Sequence, residues 1–190
     1  MSGGDGAGPV ELPVVREAFG FRRTVCGCEF CAAYCRHLPG ALDPADLPRL
    51  CPPGQDVFAW AERHLRALED KPYPTLVPAR RPDGPCHWYF EGRCAVHADA
   101  PYGCAFFDSH MSADEVSRRV AATVEAIRQD VGANGLYYRV WLHLRGQGLT
   151  GRPGDRAGLA RVVQRIRRRA EGSRRRQGDR GVRGEGRRSP

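Results

Sequence analysis

The side chains best suited to chemistry in this chain of 190 residues are its eight cysteines. Four of them fall close together, at Cys26, Cys28, Cys31 and Cys35. On a helix, the last three share one face because they are spaced i, i+3 and i+7. The amino terminus of a helix offers unpaired N–H groups and the positive end of the helix dipole, which favour thiolates, the ligands of zinc and iron–sulfur centres. This first cysteine group therefore predicts a metal site.

A second cysteine group comprises Cys86, Cys94 and Cys104. Residues 86–90 and 94–97 are short β-forming runs joined by a turn that contains glycine, which predicts a hairpin with Cys86 and Cys94 near its two ends. A proline-containing loop after the hairpin can return Cys104 to the same place. A metal site that joins both groups would link the first helix to the hairpin and contribute to folding.

The number of candidate ligands exceeds what one tetrahedral metal ion needs. The predicted ligands are Cys28, Cys31, Cys35, Cys86, Cys94 and Cys104, with Cys26 and Cys51 as weaker members. Either some of these thiols are not ligands or the protein binds two metal ions. The spacing does not match bacterial ferredoxins, and only one pair has the C-x2-C spacing that a zinc ribbon needs twice, so zinc and iron both stay open. His37, His97 and His110 are further candidates, although histidines in such positions are more often packed or solvated.

The compartment expected from the sequence also favours metal binding over disulfides. The amino terminus has no basic stretch and no apolar segment typical of a secretory signal, and the chain has no apolar run of about 18 residues. We therefore expect a cytoplasmic protein without a membrane span, where disulfides rarely persist. The alternative is that the cysteines are small buried apolar side chains or disulfides. No catalytic acid–base pair or nucleophile constellation is evident, so the catalytic residues of any enzyme activity are unknown.

The net charge of +8 is concentrated at one end of the chain. Residues 150–190 carry 14 Arg and 4 acidic residues, a balance of +10, whereas residues 1–149 carry 16 basic and 18 acidic residues, a balance of −2. We predict a disordered segment over 1–12, a cysteine-cluster domain over 13–149 and a basic tail over 150–190. The tail should be helical over 159–170 and disordered after it.

The remaining pattern predicts a mostly α fold with one short β-hairpin, a small metal-stabilised α+β domain. Apolar residues at helical spacing predict a helix over 56–68, and proline and glycine predict a loop over 71–84. Ser112 and Glu115 form a capping box that begins a helix ending near residue 131. The predicted core face of that helix carries Val116, Val120, Val124 and Ile127. Another helix is expected over 136–144.

Three segments of the second half of the cysteine region resemble a known family. These segments are Gly84-Pro85-Cys86, Gly92-Arg93-Cys94-Ala95-Val96-His97 and Pro101-Tyr102-Gly103-Cys104. They resemble the YkgJ-type cysteine-cluster family, which is described as a zinc- or iron-chelating domain and is often labelled an Fe–S oxidoreductase. The resemblance covers about residues 24–110. It implies metal chelation by the matching cysteines.

Three function classes follow from the sequence. The first is a protein that chelates zinc or iron, with an Fe–S centre as one form of the cofactor. The second is an Fe–S oxidoreductase or electron-transfer protein. The third is a zinc-stabilised module that binds nucleic acid or another anionic partner through the Arg-rich tail. The sequence does not indicate an oligomeric state.

Overall fold

The computed structural model describes residues 16–24, 26–151 and 154–184. Within these ranges the helices are α1 (Glu29–His37), α2 (Asp46–Leu50), α3 (Val57–His64), α4 (Tyr102–Ala105), α5 (Ala113–Gly132), α6 (Leu136–Gly146) and α7 (Arg156–Gly184). The strands are β1 (Glu17–Ala18), β2 (Phe21–Arg22), β3 (Leu65–Leu68), β4 (Thr75–Pro78), β5 (Tyr89–Phe90) and β6 (Arg93–Cys94). They pair in sequence order as three two-stranded antiparallel sheets. The prediction of a mostly α fold with short β structure is confirmed. In the described ranges, no helix has the length and apolarity needed to span a membrane.

Two apolar clusters hold these elements together, and the cysteines lie against both. The larger cluster joins α2, α3, α6 and the β3–β4 hairpin, and Cys35, Cys86 and Cys94 belong to it or pack against it. Its centre includes the fully buried Tyr137, whose hydroxyl donates to the Leu42 carbonyl (3.2 Å) and accepts from the Leu76 N–H (2.8 Å). The smaller cluster is built on α4, and Cys104 packs against it.

The predicted hairpin is present, as β5 and β6, but it is shorter than the predicted runs 86–90 and 94–97. Cys94 lies in β6, whereas Cys86 lies before β5. Tyr89 pairs with Cys94 and Phe90 pairs with Arg93, which leaves Glu91 and Gly92 as a two-residue turn. Both turn residues have positive φ, 46° and 80° respectively. A turn of this kind matches the twist of the flanking strands, and glycine adopts positive φ without steric cost.

The predicted helix over 56–68 is wrong over its last four residues. The helix begins as predicted, with the Asp56 carboxylate accepting from the Ala59 N–H at 2.8 Å, but it ends at His64. Residues 65–68 form β3, which pairs with β4 inside the segment predicted to be a loop. Leu65 and Ala67 are fully buried in this strand. Apolar residues at short spacing fit a buried strand as well as a helix face, so periodicity alone does not separate the two.

Helix α5 begins as predicted and buries the predicted core residue Ile127, but the rest of its buried face differs from the prediction. The Ser112 hydroxyl accepts from the Glu115 N–H at 3.2 Å, which confirms this side of the capping box. Val120, predicted to face the core, is 40% exposed. The buried residues of the helix are Arg119, Thr123 and Ile127. Arg119 is tolerated there because its guanidinium pairs with Glu115 and donates to the Phe106 carbonyl at 2.7 Å.

The basic C-terminal segment packs on the domain as α7. This helix lies along α1, with Leu159 and Ile166 buried. At its beginning, the Asp155 N–H donates to the His37 carbonyl (2.9 Å), and the Asp155 carboxylate contacts the His37 ring (3.2 Å). The backbone is helical to Gly184, whereas the sequence predicts a helix ending near residue 170 with disorder after it. Arginine is a good helix former, but apolar periodicity alone does not reveal its helix propensity. The segment 1–12 and residues 185–190, also predicted to be disordered, lie outside the described residues.

A fully buried carboxylate, Asp46, connects α2 to α4. Its Oδ1 accepts from Arg16 (2.7 Å) and Arg49 (2.6 Å), and its Oδ2 accepts from the N–H groups of Asp43 (2.9 Å) and Tyr102 (2.7 Å). A buried charge is stable only when it is paired and hydrogen-bonded, which these four donors achieve. The interaction fixes the start of α4, the helix that carries the last cysteine.

Two glycines allow the segment after α1 to touch the backbone of α4. The Gly103 N–H donates to the Ala41 carbonyl at 2.8 Å, and the Gly40 N–H donates to the Cys104 Sγ at 3.3 Å. A Cβ added at Gly40 would overlap the backbone of Gly103, and one added at Gly103 would overlap the backbone around Ala41. This contact brings the last cysteine beside the end of the first cysteine helix.

We predict that Gly103→Ala destabilises the protein, because the new methyl group has backbone on both sides and no flexible side chain to displace. Overpacking of this kind costs about 1–3 kcal/mol of unfolding free energy. Urea denaturation of the purified protein measures the effect. Gly132→Ala is the matched control, since a Cβ there meets nothing within 4 Å. Equal midpoints for Gly103→Ala and the parent protein would contradict the backbone contact.

Candidate metal centre

Three cysteines of the first group form a compact cluster at the amino terminus of α1. The Sγ atoms of Cys26, Cys28 and Cys31 all lie within 4.8 Å of one another. Cys28 is the N-cap residue of α1 and Cys31 lies in its first turn, so the helical spacing places both thiols at the same end. Cys26 reaches them from the preceding loop. These three thiols lie close enough to hold a metal ion.

The surroundings of this cluster favour the thiolate form of one of its cysteines, Cys28. Burial opposes the charged form of Cys28, but the Cys31 N–H, the Ser109 hydroxyl, the Cys26 thiol and His110 together lower the pKa of Cys28 to about 6. For Cys26, the Cys28 N–H favours the thiolate, whereas burial and the neighbouring thiols raise the pKa to about 11. The cluster therefore carries negative charge at neutral pH before any cation binds. A metal ion would stabilise further thiolates.

Two side chains from the loop between α4 and α5 face these thiols. The Ser109 hydroxyl lies 3.6 Å from both Cys28 Sγ and Cys31 Sγ. The Nε2 atom of His110 lies 3.7 Å from Cys28 Sγ. His110 is one of the candidate ligands named from the sequence, where it lies beside the second cysteine group. In the structure it contacts Cys28, which belongs to the first group. Ser109 carries no spacing signal, and only its place in the fold brings it to the cluster.

Four of the other five candidate cysteines come from three separate parts of the chain. Cys35 lies in the last turn of α1, and its carbonyl accepts from the Cys86 N–H at 3.3 Å. Cys94 belongs to β6, and Cys104 belongs to α4. The α1 helix, the β5–β6 hairpin and α4 thus each supply part of this group, as the sequence predicts for a site joining both cysteine groups.

Six cysteines line one cavity of about 490 Å³. They are Cys26, Cys31, Cys35, Cys86, Cys94 and Cys104. Trp88, Tyr89 and Phe107 contribute to the walls of the same cavity. Trp88 and Tyr89 are themselves buried. The cavity therefore presents thiols in a largely apolar environment, which strengthens their interaction with a cation.

Cys35, Cys86, Cys94 and Cys104 are called the second set below. Burial keeps their thiols protonated when no cation is present. It raises the pKa of Cys35 and of Cys86 to about 11, and it also raises the pKa of Cys94. The pKa of Cys104 is raised well above its ordinary value by burial and then by Cys35, Cys86 and Cys94. In the described part of the chain, no three of these four sulfurs are as close as those of Cys26, Cys28 and Cys31, which all lie within 4.8 Å of one another. The Gly40 N–H, which donates to Cys104, is the kind of donor that stabilises a metal-bound thiolate.

The remaining candidates lie in other settings. Cys51 is buried beside the Pro52 and Gln55 carbonyls, 3.8 and 3.9 Å from its Sγ, and does not line the cysteine cavity. The His37 ring contacts Asp155 on the side of α1 that faces α7. His97 lines the cavity, and burial lowers its pKa.

No protein-family model, curated protein or solved structure matches this chain. The resemblance to the YkgJ-type family therefore stays a prediction from the cysteine motifs. We infer the function from the arrangement of thiols, their donors and the cavity that they share.

In the reduced, metal-free protein, we predict that iodoacetamide modifies Cys28 first at pH 7. With a pKa of about 6, Cys28 is mostly thiolate at that pH, so its rate should rise through pH 6 and then level off. Cys35 and Cys86, with pKa values of about 11, should react appreciably only as the pH approaches that value. Mass spectrometry of the alkylated peptides measures each rate. The fast phase should vanish in Cys28→Ser and persist in Cys51→Ser, and identical rates at all cysteines would refute the prediction.

Proposed function

We propose that this protein is a metal-binding protein that chelates zinc or iron through its cysteine clusters and is stabilised by the metal. The observation that carries the proposal is the set of three Sγ atoms, from Cys26, Cys28 and Cys31, within 4.8 Å of one another. Two sulfurs bound to one zinc ion are separated by about 3.8 Å, because each Zn–S bond is about 2.3 Å long in tetrahedral geometry. The three thiols need only a small inward movement to reach that spacing.

The second set supports a separate metal centre within the same proposal. Cys35, Cys86, Cys94 and Cys104 are four thiols that line the same cavity, the number that a tetrahedral zinc ion or an iron–sulfur cluster requires. Two centres would also use seven of the eight cysteines and leave Cys51 as a buried apolar side chain. A metal bound by the second set would join α1, the β5–β6 hairpin and α4. Its binding free energy would then contribute directly to folding.

An Fe–S oxidoreductase or electron-transfer protein is the second candidate. The observation that favours it is the cavity of about 490 Å³, in which Cys35, Cys86, Cys94 and Cys104 are four of the six cysteines in the lining. Four cysteines are the usual ligands of both [2Fe–2S] and [4Fe–4S] clusters. The apolar walls would tune the reduction potential of such a cluster. This candidate requires iron and acid-labile sulfide in the purified protein, whereas simple zinc chelation requires neither.

We expect protein purified without oxygen to contain metal, with about one to two zinc ions per chain for chelation or about four iron and four sulfide ions for a cubane cluster. Elemental analysis and the visible absorption spectrum distinguish these outcomes. Cys31→Ser and Cys104→Ser should each lower the metal content. Because the two cysteines belong to different thiol sets, each substitution should affect a different centre. Cys51→Ser should retain the full content. A folded, metal-free protein that binds neither Zn²⁺ nor Fe²⁺ when reduced would overturn the proposal.

Nucleic-acid binding by the Arg-rich tail stays a prediction with one structural feature in its favour. The described part of α7 buries Leu159 and Ile166 against the domain and exposes its arginines, including Arg161, Arg165 and Arg168. An exposed row of guanidinium groups is suited to phosphates. Deleting the tail would not test this function cleanly, because it would also remove the buried residues that cover α1.

This candidate predicts that replacing Arg161, Arg165 and Arg168 together by Gln weakens binding to an RNA or DNA oligonucleotide. The slope of log K against log salt should fall by about one for each phosphate that the variant no longer neutralises. Fluorescence anisotropy at several salt concentrations measures both quantities, and an unchanged unfolding midpoint shows that the fold is retained. Binding by the parent protein that the triple change leaves unaltered would eliminate α7 as the binding surface.

A further inference from the structure

The cluster of Cys26, Cys28 and Cys31 supplies three protein ligands, one fewer than a closed tetrahedral zinc site needs. A fourth donor must come from another part of the fold. The loop between α4 and α5 faces the cluster and presents two polar side chains, Ser109 and His110. Both lie about 80 residues away along the chain from the thiols that they contact.

The position of His110 fits that of a zinc ligand. In a tetrahedral site, a sulfur at about 2.3 Å and a nitrogen at about 2.0–2.1 Å from zinc lie about 3.6 Å apart. The His110 Nε2 and Cys28 Sγ atoms are separated by 3.7 Å. The imidazole nitrogen therefore already lies at about the required separation from one of the three sulfurs. His110 is not part of the group within 4.8 Å, so its ring would have to move toward the other two sulfurs when metal binds.

The loop that carries His110 is held at both ends. The His110 N–H donates to the Asp108 carboxylate at 2.7 Å, which closes a tight local turn. On one side, the Phe106 carbonyl accepts from the buried Arg119 guanidinium at 2.7 Å. On the other side, Ser112 caps α5. These contacts fix the direction of the loop, so that the imidazole does not have to be ordered from a flexible segment when metal binds.

We propose that His110 is the fourth ligand of a Cys3His zinc centre formed with Cys26, Cys28 and Cys31. This inference rests on the proposed metal-binding function. The Ser109 hydroxyl, 3.6 Å from two sulfurs, acts as a hydrogen-bond donor to the thiolates and not as a ligand. Imidazole is an ordinary zinc ligand, whereas a serine hydroxyl is neutral and is suited to donating its single proton.

A Cys3His centre would have a structural role that the thiols alone cannot supply. It would tie the amino terminus of α1 to the loop that enters α5, two elements brought together only by tertiary packing. All four positions of the zinc ion would be filled by protein groups, so this centre would be closed to substrate. The buried set of Cys35, Cys86, Cys94 and Cys104 would remain a distinct centre.

The test is metal binding by the full chain, followed with Co²⁺ as a spectroscopic probe and with Zn²⁺ in competition with a chelator. His110→Ala should weaken one class of site by at least about a hundredfold, because even residues that only orient a ligand contribute about 10- to 100-fold. His110→Cys should restore tight binding and shift the Co²⁺ d–d bands to lower energy, since thiolate is a weaker-field ligand than imidazole. The rescue also guards against a general folding defect in His110→Ala.

Two control variants separate the roles of neighbouring groups. Ser109→Ala should retain the stoichiometry and the d–d bands of the parent protein and lose only part of the affinity. His143→Ala should bind metal like the parent protein, because that ring lies against Glu62, away from the thiols. Parent protein that binds no metal would overturn the proposed function itself. Parent protein that binds metal, with an unchanged affinity and spectrum in His110→Ala, would overturn the role of His110 alone.

Discussion

The direct contact between two backbone segments, at Gly40 and Gly103, is the constraint on which the arrangement of the thiols depends. Neither position has room for a Cβ, so the chain leaving α1 and the start of α4 lie closer than side chains would permit. The contact places Cys104 Sγ 3.3 Å from the Gly40 N–H. The buried carboxylate of Asp46 fixes α4 from the other side through the Tyr102 N–H. Cysteines far apart in sequence thereby reach one cavity.

The thiols within this arrangement occupy two different electrostatic settings. Cys28 lies at a helix amino terminus with polar neighbours, and its pKa is lowered to about 6, although burial acts in the opposite direction. Cys35 and Cys86 lie among apolar side chains, where burial raises the pKa to about 11. The first setting attracts a cation to charge that is already present. In the second, a metal ion would have to displace the protons, so that binding there would depend more steeply on pH and on the softness of the metal.

The basic helix changes the interpretation of the net charge. Composition alone suggests an appendage with a balance of +10 over residues 150–190. In the structure, α7 packs along α1, the helix that carries the first cysteine group, and buries Leu159 and Ile166. The apolar side of the first part of α7 therefore belongs to the domain, whereas Arg161, Arg165 and Arg168 are exposed. A substitution on the buried face of α7 is therefore expected to disturb the packing of α1, the helix that carries the first cysteine group.

The sequence by itself determined the features that arise from neighbouring residues. The grouping of Cys28 and Cys31 at a helix start and the Ser112 cap depend on spacings of three residues, over which backbone geometry is nearly invariant. Tertiary structure decided the rest. Leu65 is buried in a strand rather than a helix because β3 pairs with β4, where Pro78 lies opposite Leu65. His110 reaches Cys28 because α5 is packed where the Arg119 guanidinium can be satisfied. Such contacts depend on how whole elements pack, and no local spacing encodes them.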